Sequence, residues 1–402
     1  MTNYGVFFVS VCCIAAISIF ILCLTYTSHT ISDLSIYDNE EPKLLKHWNT
    51  SVISVRNFTG KDENHINQTQ QTAITLSNKE QRKLERKRRR EFNFTRIRNR
   101  KEQDFKPVTQ GNSEVEKQEH YLCANWNLGR FGNLMFIYAS LYAIAKDKGM
   151  TFVVNDDADI LKVFTNLKAK VITNASICQT AYWHAEIKPS LFEKKVYDFP
   201  THVNIYHDSY LQSYYYFSNV QDEIREQFTF PHFVIEETRD RIHSAVNVLK
   251  QRGQPVLNSE IVGVHVRLGD KNSSEVREEG HLTASKDYIR NAVNYFRTHF
   301  KSPVFIVMME YITEDVNWVK DAISGHNNDV VIFGNNSIVI DLCALTLLNH
   351  TIITTGTIGW WGAWLCNGTT VYCKDFAKVG SEVWTYYSRD RRDYFPPRWI
   401  GL

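Results

Sequence analysis

Apolar positions fall in three regimes along the chain. From Gly5 to Leu24 no residue carries a formal charge, and about twenty apolar residues are enough for a helix to span a bilayer. Residues 25–119 are polar and without sustained periodicity, too poor in apolar surface to offset chain entropy. From about His120 short apolar runs begin to alternate with amphipathic ones. An apolar helical run from Leu134 to Lys148 closes at Gly149, and Thr151 to Val154 is a short buried strand. Helices are predicted at Gln221 to Gln227 and Glu236 to Gln251, followed by the punctuated turn Gln251–Pro255. The pattern then becomes regular. Strands at Ile261–Val266, Val304–Met309, Val330–Phe333, Thr351–Thr354 and Thr370–Tyr372 alternate with helices at Ser285–Phe300, Glu314–Ser324, Ser337 or Ile338 to Leu348, and Gly359–Cys366. Ser285 is the expected N-cap of its helix. Such alternation predicts an α/β fold with parallel strands and right-handed crossovers.

This reading divides the chain into a tail (1–4), a transmembrane signal-anchor (5–24), a stem (25–119) and two halves (120–255 and 256–402). Met1 to Tyr4 contain no Lys or Arg, which favours an uncleaved anchor in the lipid bilayer over a signal peptide. Asn-x-Ser/Thr occurs at Asn49, Asn57, Asn67, Asn93, Asn174, Asn272, Asn335, Asn349 and Asn367. So many acceptor sites, four of them clustered after the anchor, suggest exposure to the secretory lumen. Asn349 and Asn367 flank what reads as core, so some sites are expected to stay silent. Net charge is +2, which gives no reason to expect nucleic acid as a partner. The basic run Arg82–Arg90 reads as a solvated spacer. Beyond the anchor lie Cys123, Cys178, Cys343, Cys366 and Cys373. Two bridges and one free thiol are expected, with Cys366 and Cys373 a candidate local pair, and the connectivity stays open. No zinc spacing is present.

The candidate chemistry centres on Val262-Gly-Val-His265-Val-Arg267-Leu-Gly-Asp270-Lys271. Ligands of open parallel sheets sit outside the carboxyl ends of strands, and an arginine leaving a strand there meets an anion with a fixed fork of donors. As a sugar–phosphate bond breaks, such a guanidinium stabilises the growing charge. A surface pair with Asp270 is the plainer role for Arg267. His265 shares its face, either toward a ligand or as a core histidine. Gly129-Arg-Phe-Gly132-Asn133 precedes a helix and offers free N–H groups; a capping turn explains it as well. Thr354-Thr-Gly-Thr357-Ile-Gly-Trp360-Trp361 is a second such turn. Asp341 lies in an apolar helix, where an unpaired carboxylate is rare. Asp156-Asp157-Ala158-Asp159 contains a metal-type Asp-x-Asp or is a helix-start charge cluster. Tyr206, Tyr210, Tyr214, Tyr215 and Tyr216 form either a sugar-stacking platform or packing. Glu275, with Glu278 and Glu279 nearby, is a candidate base for an acceptor hydroxyl. The sum points to sugar transfer from a nucleotide diphosphate.

These segments resemble the galactoside alpha-1,2-fucosyltransferases. The resemblance rests on Gly263–Asp270, Asp341, the block Asn349–Leu365, Gly129–Asn133 with Tyr138–Lys146, and Gln221–Phe228, and runs from about Leu128 to Leu402. It implies a GT-B-like fold of two Rossmann-like halves and GDP-fucose as donor. It implies a galactose-terminated glycan accepting through O2, inversion, no metal or other cofactor, and a type II Golgi membrane topology. Within it Arg267 would hold the β-phosphate, Asn133 the diphosphate or leaving oxygen, and His265 and Asp341 the guanosine. Thr357 would join the donor site, with Gly129, Gly132 and Asp270 in support. Lys271 and Glu275 occupy the offsets of a lysine and a base glutamate in related alpha-1,6 enzymes. The sequence departs from the family at Leu268, where Arg is usual, and at Leu134, where Gln is usual; Asn272 places an acceptor sequon beside Glu275. Alternatives are a metal-dependent transferase using Asp157 and Asp159, a fucosyltransferase of other linkage, and a homologue that binds GDP-fucose or glycans without turnover.

Overall fold

Two parallel sheets follow one another in the computed structural model, which describes residues 119–402 apart from 175, 269–273, 310–312 and 324–327. Residues 5–24, the stem sequons, Asn272, Asp270 and Lys271 lie outside the described residues, as does the Glu275 side chain. Among the described residues no helix is long and apolar enough to cross a membrane. Glu119, assigned to the stem, is already tied to the folded part: its carboxylate accepts from Lys170, Tyr121 and Thr151.

The first sheet has the order β3-β2-β1-β5-β4, with β1 Tyr121–Ala124, β2 Thr151–Asn155, β3 Lys170–Ile172, β4 Tyr182–His184 and β5 Ile205–His207. Helix α1, Phe131–Lys148, leaves β1 and is buried along most of its length; Gly149 ends it in the left-handed conformation (φ 65°), the role its position predicts. Short helix α2, Ser176–Gln179, carries Cys178, which bridges to Cys123 on β1.

The chain crosses over after α3, Gln221–Gln227. Helix α4, His232–Gln251, precedes the punctuated turn at Gln251–Pro255 yet belongs with the second sheet. It buries Val234, Thr238, Ile242, Ala245 and Leu249, a stripe at helical spacing, and packs on the strand Val330–Ile332 and the helix Ile338–Leu347. The second sheet has the order β11-β10-β9-β6-β7-β8. Its strands are β6 Ile261–Val266, β7 Val304–Met309, β8 Val330–Ile332, β9 His350–Ile353, β10 Thr370–Tyr372 and β11 Ile400–Gly401. The connecting helices are α5 Ser274–Glu278, α6 Lys286–His299, α7 Thr313–Ala322, α8 Ile338–Leu347 and α9 Thr357–Cys366. Ser285 caps α6 through Tyr288 N, and Ser337 caps α8 through Ile340 N. β7 is buried at every position, as a strand covered on both faces must be.

The segment after β10 returns to the first sheet. Asp393 accepts from Tyr214 N and Ser213 Oγ through its carbonyl and from Phe192 N through its carboxylate. Phe136 of α1 packs on Trp360 (4.6 Å), Trp361 (4.8 Å) and Tyr394 (6.1 Å), so one apolar core runs beneath both sheets.

The cysteine expectation is corrected: among the described residues one bridge forms, and Cys343, Cys366 and Cys373 are free thiols. Cys366 ends α9 and donates to Leu348 O, whereas Cys373 is buried in the core behind β10, so the two are held by different neighbours.

Candidate active site

Each sheet reverses its strand order at one point: between β1 and β5 in the first, between β6 and β9 in the second. Such switch points open a crevice beyond the carboxyl ends of the strands. The two sequence-predicted turns leave β1 and β9, and both begin helices there. Neither helix start has a side-chain cap: Arg130 precedes α1 and Gly356 precedes α9. Their first N–H groups are therefore the unsatisfied donors typical of anion sites.

The two turns touch. Thr357 Oγ1 donates to Asn133 Oδ1 at 3.1 Å, and Trp361 Nε1 donates to Gly132 O at 3.0 Å. A Cβ on Gly132 would lie 2.5 Å from Thr357 Oγ1, so only glycine permits this approach. Gln212 Nε2 donates to the same Asn133 Oδ1 at 3.1 Å. With Oδ1 engaged twice, the carboxamide turns its Nδ2 toward Gly129, where an added Cβ would meet it at 1.9 Å. Gly129 also has φ 73°, a conformation costly for other residues.

Arg267 and His265 reach the second turn from β6. Arg267 N donates to Thr354 Oγ1 (2.9 Å), and Thr354 N and Oγ1 both donate to His265 O. The half-buried Arg267 side chain lies against Gly356, whose Cβ would fall 2.7 Å from Nη1. Gly356 has φ 100°, so it is glycine for both reasons. His265 is 9% exposed beneath Gly359, and burial pushes its imidazole down to about 4, so it is neutral at physiological pH. Its Nδ1 and the Thr355 hydroxyl are buried without partners among the described residues, and buried polar atoms left unpaired call for an explanation. Gly129, Gly132, Asn133, Thr357, Arg267 and His265 thus converge.

Asp341 and the Asp156–Asp159 cluster make their contacts elsewhere. Asp341, on the first turn of α8, accepts from Asn336 Nδ2 at 3.1 Å, and Asn336 in turn accepts from Arg241. Burial pushes Asp341 up to about 7 against the opposing effects of Asn336 and Arg241. Glu275 falls in the first turn of α5. Asp156, Asp157 and Asp159 are exposed, and Asp159 pairs with Lys162. Among the described residues no three His, Cys, Asp or Glu side chains gather as metal ligands. The tyrosines form no single platform: Tyr216 is core, the exposed Tyr215 has its ring 4.7 Å from that of Tyr214, and Tyr210 lies against Gly129. Asn174, Asn335, Asn349 and Asn367 are all exposed, and Asn349 and Asn367 flank buried residues such as Leu348 and Thr370.

Both departures from the resembled pattern are packing positions. Leu268 is 3% and Leu134 5% exposed, each inside an apolar core. Sequence reading missed Gln212, whose partner is far off in the chain. The alternation of half-buried Asp208, Tyr210, Gln212 and Tyr214 with buried Ser209, Leu211 and Ser213 is the one local signal it leaves.

The profile of glycosyl transferase family 11 matches residues 95–402. Galactoside 2-alpha-L-fucosyltransferase Sec1 of Mus musculus is 29% identical over 279 residues, 68% of this chain and 72% of that protein. Galactoside alpha-(1,2)-fucosyltransferase 2 of Sus scrofa is 29% identical over 280 residues, 68% of this chain and 78% of that protein. A crystal structure of POFUT1 in complex with GDP-fucose aligns with a TM-score of 0.43 at 10% identity, covering 63% of this chain and 98% of that one.

Proposed function

The chain belongs to glycosyl transferase family 11 and is a glycosyltransferase; from that premise we propose that it moves L-fucose from GDP-fucose to O2 of a galactose-terminated glycan, with inversion and without metal. The observation that carries this reading is the meeting of two uncapped helix starts with one guanidinium, Arg267, at the switch points of both sheets. A GT-B-like enzyme holds a nucleotide diphosphate in such a crevice.

In this reading the acceptor oxygen attacks fucose C1 in line. The bond from C1 to the β-phosphate oxygen breaks, and its electron pair stays on the departing GDP. Arg267 and the two helix starts meet that charge as it grows, and their fixed orientation makes them worth more there than in water. Asn133 Nδ2 donates to the leaving oxygen. His265, neutral, donates or accepts one hydrogen bond on the nucleotide, and Asp341 receives the base. The acceptor's proton passes to Glu275. The relatives' names support fucose and galactoside specificity.

Arg267→Ala is expected to lower kcat by about 10²–10³ or more while circular dichroism and melting stay near wild type; an active variant would refute the assignment. Transfer at full rate in EDTA is expected, and its loss would favour Asp157 and Asp159. Residues 5–24 anchor the chain in the Golgi membrane with the transferase lumenal. A mass shift on enzymatic deglycosylation, together with protection from external protease, would establish that orientation.

A further inference from the structure

Tyr210 stands out because the fold spends so much to hold its backbone. It follows β5, at the same switch point as the Gly129 turn. Leu211, next in the chain, is fully buried and has φ 51°. A leucine in the left-handed region is strained, and such strain persists where surrounding contacts over-determine it. Glu186 supplies those contacts. Its buried carboxyl group accepts from Tyr210 N (2.7 Å) and from Leu211 N (3.1 Å), and its own N–H donates to Ser209 Oγ (2.7 Å). Ser140 Oγ donates to Leu211 O, and Gln212 N to Pro189 O. The half-buried Tyr210 ring is thereby set beside Gly129, its Cε1 3.1 Å from where a Cβ would stand, on the spot the Asn133 carboxamide also borders.

We propose that Tyr210 is an acceptor-binding residue: its ring forms the floor on which the pyranose receiving the transferred sugar stacks, next to the reacting atoms. The inference rests on the proposed transferase reading and adds its acceptor side. A rigid aromatic face suits a sugar ring, whose C–H edges are apolar and whose hydroxyls need polar neighbours. Asp208, paired with Asn125 Nδ2 at 2.8 Å, lies on the same edge two residues before.

The test uses the detergent-solubilised full chain, with a β-galactoside acceptor and GDP-fucose. Tyr210→Phe keeps the ring and is expected to hold acceptor KM within about two-fold of wild type. Tyr210→Ala is expected to raise acceptor KM about ten-fold, with the change in KM for GDP-fucose much smaller. An unchanged acceptor KM in Tyr210→Ala, or a rise confined to KM for GDP-fucose, would overturn the proposal. If Tyr210→Ala loses GDP binding through misfolding, Tyr210→Leu is judged by the same two constants. Wild-type chain that neither binds nor turns over GDP-fucose would overturn the transferase reading and this one together.

Discussion

A single carboxamide oxygen links the two sheets at Asn133. Because Thr357 and Gln212 both donate to Oδ1, a flipped amide would set its N–H₂ against that of Gln212, and the observed orientation directs the Asn133 N–H₂ to the crevice. Asn133→Asp preserves shape and removes the donor; kcat is expected to fall about 10²–10³-fold in a fucose-transfer assay, with melting little changed. Glu186 is the other residue with a measurable signature. Burial, aided by the charge of Glu193, pushes it up to about 8 although Leu211 N and Tyr210 N bond to its oxygens. Between the ordinary carboxylate range and 8 the folded state keeps a proton that the unfolded chain has released, so its contribution to stability is greatest at low pH and is lost as pH rises through 8. Melting temperature followed from pH 5 to 8.5 should therefore fall less steeply in Glu186→Gln than in wild type; parallel curves would show that this carboxyl does not titrate in the range.

The elements were legible in proportion to how much of their identity is local. From β6 to β10 each strand is an apolar run rich in β-branched residues between turn signals, and Ser285 and Ser337 announce their helices by capping chemistry; the two-residue β11, Ile400–Gly401, leaves no such run and was not foreseen. Between β2 and α3 the signal fails. β3, β4 and β5 are three residues each, and Tyr182 and Val171 on them are exposed; they are strands because β1 and β2 stand ready to pair, which no window of the sequence contains. The site divides likewise. Both glycine turns and the strand-end arginine are local patterns and could be read, whereas the contact between the turns, Gln212 beneath Asn133 and Glu186 beneath Leu211 arise only on folding. The Gln221–Phe228 block gains a physical reason: Arg225 donates to Trp364 O and Leu365 O and lies 4.0 Å over the Trp364 ring, closing the carboxyl end of α9. Arg225→Met should cost about 2 kcal/mol in denaturant unfolding, with KM for both substrates nearly unchanged.

Across the described residues, one covalent link and one aromatic seam carry the organisation. The Cys123–Cys178 bridge spans 55 residues, and a loop of that length restricts the unfolded chain by about 4 kcal/mol; Cys178→Ser is expected to lower the melting temperature and to make the first sheet the earliest region to exchange amide protons. The seam, where Phe136 meets Trp360, Trp361 and Tyr394, imposes an order on biosynthesis. Helix α1 emerges from the ribosome early, yet the rings that cover it are made more than two hundred residues later. Until then a greasy strip of α1 stays uncovered, a natural perch for chaperones, and neither half expressed by itself should stay in solution. Removing residues 390–402 should leave a protein that misfolds and is degraded rather than a slower enzyme.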